Sequence, residues 1–583
     1  MKKILFGVAL CFIMVAQAQN TDYSKSGVFI LNEDWYGHQN STINHLNTMG
    51  EFSYRIIQAA NQDTHLSLGC TSQFGDIYGD RFYFISKQAQ DPGERQWNGG
   101  RVVVADLKTM KILYSIENIF EINGKSAADG RGFVGVDERK GYIGTSNGIF
   151  VLDLTTGKIG KRIAGTENPL IKGGEANSDG TGALYCNQIG IMLRAYDYVF
   201  AIQQDKGILV IDPETDEIIT TITGCFGTMT QSLDGRIWAA RNTNSAAQQY
   251  PYGTSGEAWQ GNELVAIDPI TLKTTTVNIA QMAGNTDLIV GQTWYAWTAG
   301  SLCASMQENA LYFSFSDNVW DWYNSRKYIY KYDIDNNDIH QIFDTSTKTG
   351  DWYVYNSGTP RVSPHNGNVY ISCFKSTIST NNWIFFEITP DGDFVQGYMP
   401  IKNYWYPALF IFPDIYKPMV NDFSPVAIYG EQTVAVPLAG MATDDDNMSA
   451  AITKRVVSVS NSSAISAVVK RDTLFVTALV NNEQTETVTV RFNSNGQTVD
   501  KILTANIHHT STALTTPNVN INLYTQGNQV LISGITQATE ITVFDITGRM
   551  VSTACATGDI CLTLPQGAYI IRIGTQSYRT IIQ

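Results

Sequence analysis

Along most of the chain, short apolar runs alternate with tight polar turns at a strand-like rather than a helical period. The stretch GILVIDPETDEII, residues 207–219, is typical: an apolar strand, a Pro/Asp/Glu turn, and a second strand. Near copies start at Arg101 (RVVVADLKTMKIL), Gly148 (GIFVLDLTTGKIG), Glu263 (ELVAIDPITLKTT), Tyr328 (YIYKYDIDNNDIH) and Trp383 (WIFFEITPDGDFV), with a worn copy, STINHLNTMGEF, at Ser41. The spacing is about 50 to 60 residues, the pitch of a four-stranded propeller blade. Before each copy stands another strand, such as RFYFISK, YVFAIQQ or NVYISCF, and before that a Gly-rich segment such as GRGFVGVDE or FGTMTQSLD. Each unit therefore predicts strands A (innermost, Gly-rich), B, C and D (outermost), with the repeated motif as C, turn and D.

The pattern predicts how the ring closes. The first unit, from GVFILNE to EFSYRII, has B, C and D without A, whereas YPALFIFPD near residue 410 is an A strand with nothing after it. One blade shared by both ends would hide the edges that an open sheet exposes. The predicted fold is all-β: a seven-bladed β-propeller over 19–415, an immunoglobulin-like β-sandwich over 416–512, marked by strands such as TVAVPLAG and TLFVTALV, and a small β-sandwich over 518–583.

Composition adds compartment and excludes some partners. MKKILFGVALCFIMVAQAQN reads as a signal peptide, residues 1–18, cut after Ala18, so the chain is expected to be exported through the periplasm to the cell surface or beyond. Cys11 has no lipobox before it, and no later run is long enough to cross a bilayer. A net charge of −14 with no basic patch argues against nucleic acid. The mature chain keeps seven cysteines without metal spacing, read as buried thiols, with Cys555 and Cys561 close enough to leave a disulfide open.

Several motifs look chemical, but their setting is wrong. Gly130 to Gly135 fits GxGxxG and Gly144 to Gly148 fits GxSxG, yet both lie among strands, where no helix follows to receive a phosphate or carry a nucleophile elbow. Asp333, Asp335 and Asn337 fall on a C to D turn, where such residues form the turn itself. The run Asp444 to Asn447 has oxygen ligands suited to calcium but reads better as a solvated acidic turn. No HExxH occurs. Neither a metal nor a cofactor nor a catalytic residue is assigned, and enzyme status stays open on the negative side.

The phase of the repeat sorts the loops by face. The A to B and C to D turns, such as ERKG and PETDE, are short, polar and plain hairpins. The D to A and B to C connections are long and aromatic. On this face or its rim fall Trp35, Tyr36, Trp97, Tyr252, Trp259, Trp297, Trp320, Trp322, Trp352, Trp383, which starts a C strand, and Trp405, the expected ligand-binding set; of the eleven tryptophans only Trp238 sits in a B strand. Flat rings gathered on one face suit sugars or large planar ligands.

Residues 27–50, GVFILNEDWYGHQNSTINHLNTMG, and the ending WYPALFIFPD resemble a Bacteroidetes family of secreted seven-bladed propellers related to the YncE-like and YVTN proteins. The resemblance implies a surface protein that captures a nutrient, with a corrinoid (cobalamin) as the leading ligand, beside a TonB-dependent outer-membrane transporter and without catalysis. VFDITGR at 543–549 and LPQGAYIIRI at 564–573 resemble the C-terminal sorting domain of type IX secretion cargo, which implies the type IX machinery as a partner. Two other readings stay open: a glycan- or protein-binding, adhesin-like module, and a propeller hydrolase or lyase.

Overall fold

A computed structural model describes residues 22–169, 171, 187–204, 206–241, 263–284, 289–290, 300–316, 327–348, 350, 352–355, 360–375, 381–510 and 521–583. The chain is all-β apart from short helical turns such as Ile56–Ala60 and Ile279–Met282. It divides into two compact units, Met1–His508 and His509–Gln583.

The first unit opens with seven antiparallel sheets of four or five strands. In the sheet of Ile189–Ala195, Tyr198–Gln203, Gly207–Asp212 and Glu217–Thr223, the third strand is buried almost throughout while the fourth alternates toward solvent. That is why ILVI is a continuous apolar run and EIITTIT is mixed: one strand is covered on both faces, the other is an edge. The turn between them is built by its acids. Asp212 accepts the Glu214 amide at 2.8 Å, and Asp216 takes φ 58°, which Asp tolerates better than branched residues. Asp216 also pairs with Lys140 at 2.9 Å and accepts the Tyr142 hydroxyl at 2.5 Å, tying its sheet to the preceding one.

Innermost strands follow one another around an axis: Pro407–Ile411 packs on Cys70–Tyr78, then come Gly130–Gly135, Ile189–Ala195, Phe226–Gln231, Cys303–Ala304 and Arg361–Val362. This is the arrangement of a β-propeller. Pro407–Ile411 also pairs antiparallel with Val28–Asn32, so one sheet takes strands from both ends of the ring. Between sheets the core is aromatic. Phe29 meets Phe82 edge-on at 5.0 Å, Tyr83 stacks on Phe133 at 4.2 Å, and Trp238 meets Tyr332 at 5.5 Å. Phe410 packs against Tyr370 and Phe385 of the last sheet, which joins last to first.

After Phe412 the chain forms two sheets, Val426–Tyr429, Gln497–His508, Gln484–Ser494 and Thr453–Val459 in one, and Thr433–Pro437, Thr473–Ala478 and Ile465–Lys470 in the other, around a core that includes Ile465, Val476, Phe492 and Leu503. The second unit holds a three-stranded and a four-stranded sheet around Val530, Ile541, Val543 and Ile571. In it Cys555 and Cys561 are free and exposed, so the disulfide left open by the sequence is not formed; Cys70, Cys225, Cys303 and Cys373 are buried thiols.

Phe29 lies in the sheet that both ends of the ring share, fully buried against Phe82. Phe29→Ala is expected to cost about 3–5 kcal/mol. Guanidinium unfolding followed by tryptophan fluorescence checks this, and a loss below about 1 kcal/mol would mean that this sheet lies outside the cooperative core.

Candidate ligand-binding face

The two ends of the propeller axis differ. At one end the A to B turns, expected from the sequence to be plain hairpins, carry the sandwich. The Gly79 amide donates to the Asn495 carbonyl at 2.8 Å, and Asn495 Nδ2 donates back to the Ile77 carbonyl at 2.8 Å. Asn493 Nδ2 reaches Tyr78 Oη at 3.1 Å. Around the ring, Glu138 pairs with Arg455 and with Arg491 at 3.0 Å, the Tyr196 amide donates to the Ala450 carbonyl at 2.9 Å, and the Arg471 amide donates to Asp197 at 2.8 Å. Gly496 has φ +86°, and a Cβ there would lie 2.5 Å from the Gly79 nitrogen, so only glycine lets the two backbones approach. The run Asp444 to Asn447 belongs to this contact: Asp444 and Asp446 are buried rather than solvated, because Asp446 accepts the amides of Ile415 and Tyr416 at 2.7 and 3.3 Å.

At the opposite end, among the described residues, two of the long connections come together. Loops 33–41 and 89–100 lock together: the Gly37 amide donates to Asp91 at 2.8 Å, the Asp91 amide to Asn40 Oδ1 at 2.8 Å, and Asn40 Nδ2 to Ser67 at 3.0 Å. This clasp presents Trp35 and Tyr36, which stay 42% and 59% exposed. Trp35 rests on His38 and Tyr404, with ring centroids 4.0 and 4.3 Å away. Trp97 is half-buried beside His65, 5.7 Å between centroids.

Three of the expected tryptophans lie in the interior. Trp405 is 1% exposed, stacks on Tyr54 at 5.6 Å with 9° between planes, and donates its indole N–H to the Ile401 carbonyl at 2.9 Å. Trp383, also 1% exposed, begins a strand and donates to the Asn403 carbonyl at 3.0 Å. Trp352 is buried at the start of Trp352–Val354. An indole whose N–H is satisfied by backbone and whose faces are covered by other rings is packing, not a free platform. Tyr252, Trp259, Trp297, Trp320 and Trp322 lie outside the described residues.

Near the axis at this open end is a charged cluster that the aromatic reasoning passed over. Fully buried Asp129 sits 3.4 Å from Arg101 Nη2 and 3.8 Å from Arg131 Nη2, and Arg131 Nε donates to Gln188 at 2.5 Å. Burial pushes the Glu33 carboxyl up to about 7 against a hydrogen bond from Gln73 and the charge of Lys87. Lys87 is held below its ordinary value by burial and by Arg131, with Asp129, Cys70 and Glu33 acting the other way. Asp34, raised to about 7 mainly by burial, accepts Thr42 Oγ1 and Gln39 Nε2 at 2.6 Å each and so fixes the loop that bears Trp35. Signals for this cluster were present: Glu33 closes GVFILNE, Lys87 closes RFYFISK, and Arg131 sits inside the GRGFVG run that fails as a phosphate motif. Among the described residues no three His, Cys, Asp or Glu side chains are arranged to hold a metal ion, and no helix is long and apolar enough to cross a membrane.

A family model described as a domain of unknown function (DUF5074) matches residues 26–413. No curated protein matches the chain. Among solved structures, a quinoprotein alcohol dehydrogenase-like protein from Bacteroides thetaiotaomicron is similar at 14% identity and TM-score 0.45, over 68% of this chain and 79% of that one. The extracellular domain of a hybrid two-component system from the same organism gives 12% and 0.37, over 83% and 56%. BamB from Moraxella catarrhalis gives 13% and 0.29, over 81% and 94%.

The two kinds of tryptophan separate experimentally. Trp35→Ala should change stability by no more than about 0.5 kcal/mol, whereas Trp405→Ala should cost about 3–5 kcal/mol. Equal losses in chemical unfolding would contradict the assignment of surface and core.

Proposed function

We propose that this chain, which belongs to the DUF5074 family, is a secreted or cell-surface, non-catalytic ligand-binding propeller whose seven sheets are the blades of one closed ring. Its binding surface is the open end of the axis. The observation that carries this reading is the asymmetry of the two ends: the sandwich covers the A to B turns, while Trp35 and Tyr36 stay exposed opposite, next to Glu33, Lys87 and Arg131. Rings beside a few charged groups suit a ligand that combines a flat or ring-shaped body with polar substituents. A corrinoid has that chemistry and is the first ligand to test; a glycan is the alternative within the same site.

Binding is favoured over catalysis by how the open-end carboxyls are engaged. Asp129 is taken up by two guanidiniums, and Asp91 by the loop amides of Gly37 and Gly93. Asp34 is taken up by Thr42 and Gln39, so none of these described carboxyls is left free to divide acid and base roles with Glu33. In this reading the sandwich is an immunoglobulin-like module, residues 518–583 act as a type IX sorting domain, and a TonB-dependent transporter receives the ligand.

Calorimetry on the mature chain with cyanocobalamin, alongside a glycan array, tests the proposal. One class is expected to bind, with Trp35→Ala and Lys87→Met each weakening it by about ten-fold or more. Binding to neither class, or binding indifferent to both substitutions, would overturn it.

A further inference from the structure

The junction between propeller and sandwich contains a second cluster of acids with different surroundings. Asp76 comes from the innermost strand Cys70–Tyr78, Asp414 from the segment leaving the ring, and Asp444 and Asp446 from the sandwich. Asp76, Asp414 and Asp446 line one cavity of about 380 Å³, which shares Asp76, Asn447 and Asn495 with a neighbouring cavity of about 450 Å³.

Every hydrogen bond made to these acids comes from a neutral group. Asp414 accepts Asn495 at 2.8 Å, Asn447 at 3.2 Å and Gln497 at 3.1 Å. Asp446 accepts two backbone amides and a weak contact from Asn447 at 3.3 Å, and its own amide donates to Asp444 Oδ1 at 3.1 Å. The other oxygen of Asp444, a residue only 8% exposed, is buried and has no partner, although its carboxyl lies against that of Asp446. Among the described residues no Lys, Arg or His pairs with any of the four.

Among the described residues, none of the nearby cations bonds to the four acids. Arg361 donates to the carbonyls of Pro360 and Gly300, both at 2.8 Å, and His365 contacts the Pro413 carbonyl at 3.0 Å. Arg194 lines the adjoining cavity together with Asp76, with its Nε and Nη1 buried and without a hydrogen-bond partner; burial holds it below its ordinary value, and the charges that act most on it are those of Asp197, Tyr78 and Tyr142 rather than the four acids. Arg455 and Arg491 both pair with Glu138.

Several carboxylates buried together without counter-charge are too costly to stay ionised. Among the described residues no three of these side chains are arranged as a metal-ligand set, and buried carboxyls without a counter-charge are neutralised by a proton. We infer that the sandwich is a proton-latched cap on the propeller: protonated carboxyls at Asp76, Asp414 and Asp446 hold the junction closed, and their ionisation loosens it and opens the axial cavity from that side.

The direction follows from the carboxyls. Burial raises Asp76 to about 7 and Asp414 to about 6, and burial together with Asp444 raises Asp446, all from an ordinary value of 3.8. The docked junction thus keeps protons that the separated halves would release. Docking is strongest in acid, weakens as pH climbs from 3.8 through the docked values, and levels off once all are ionised.

Hydrogen exchange on the full mature chain, from about pH 4.5 to about pH 8.5 and corrected for intrinsic base catalysis, reads this directly. Amides in 76–80, 444–451 and 493–497 should lose protection by about ten-fold or more across that range while Gly207–Asp212 does not. The Asp414→Asn/Asp446→Asn double variant should keep the junction protected at the alkaline end, and Asp76→Asn should do so in part. A flat profile in the natural chain overturns the latch, and the natural chain decides alone if the variants fail to fold. An unchanged profile in a folded double variant overturns it too, as does full rescue at alkaline pH by millimolar calcium, which would make a metal the neutralising partner. No rescue by calcium supports protons.

Discussion

The pairing of Pro407–Ile411 with Val28–Asn32 is the constraint on which the rest of the structure hangs. A sheet built only from the N-terminal strands would leave the inner edge of Val28–Asn32 with unpaired amides and carbonyls facing the axis. The returning strand satisfies them and brings Phe410 against Phe385 of the last sheet, so a line of sheets becomes a ring. It also decides where the chain leaves. An innermost strand runs from the open end toward the A to B turns, so the residues after Ile411 emerge on the turn side, and the sandwich begins where it can rest on those turns.

That exit gives the two ends unequal work. Short turns form a level rim, and a level rim is what a second domain can sit on: Gly79, Glu138, Tyr196 and Asp197 each reach it without a long loop in the way. The long connections, kept to the other side by the same strand phase, are free to form a shaped surface. Asp91 and Asn40 spend their hydrogen-bonding capacity on holding two such loops in register, which is why Trp35 can be exposed and still fixed.

All-β character and the propeller arrangement were legible in the sequence because a strand covered on both faces must be continuously apolar and an outer strand need not be. GILVID and EIITTIT differ in that way, and they are the covered and outer strands. Individual ring burial was not legible. Trp405 shares loop-like surroundings with Trp35 in sequence and Trp383 stands at a strand start beside a loop, and what sets both apart is that a backbone carbonyl, that of Ile401 or Asn403, lies within reach of the indole N–H. That depends on how the connections of neighbouring sheets pack together. The charged cluster was hidden for a related reason. Glu33, Lys87 and Arg131 are about fifty residues apart and each looks like an ordinary strand end, yet the repeat period brings strand ends together at the axis. The acidic run at Asp444 misled in the opposite way: composition says solvent, and the amides of Ile415 and Tyr416 say interface.

The chemistry of the junction explains why docking there is conditional while the ring is not. The ring is closed by apolar strands and aromatic contacts, whose stabilisation comes from apolar burial rather than from groups that gain or lose a proton. The junction is made largely from Asn493, Asn495, Gln497, backbone amides and acids, groups that water serves almost as well when the halves part. Its net stability is therefore a small difference between desolvation and new hydrogen bonds, and a change in the charge of a few buried carboxyls is large on that scale. In the apolar core around Phe29 the titratable neighbour is His45, whose ring lies 5.1 Å from Phe29 and which burial holds below its ordinary value, so it stays neutral there. The open end has titrating carboxyls of its own, since burial raises Glu33 and Asp34 to about 7 there, so the two ends respond to pH through separate groups: the junction acids act on docking and Asp34 on the loop that bears Trp35.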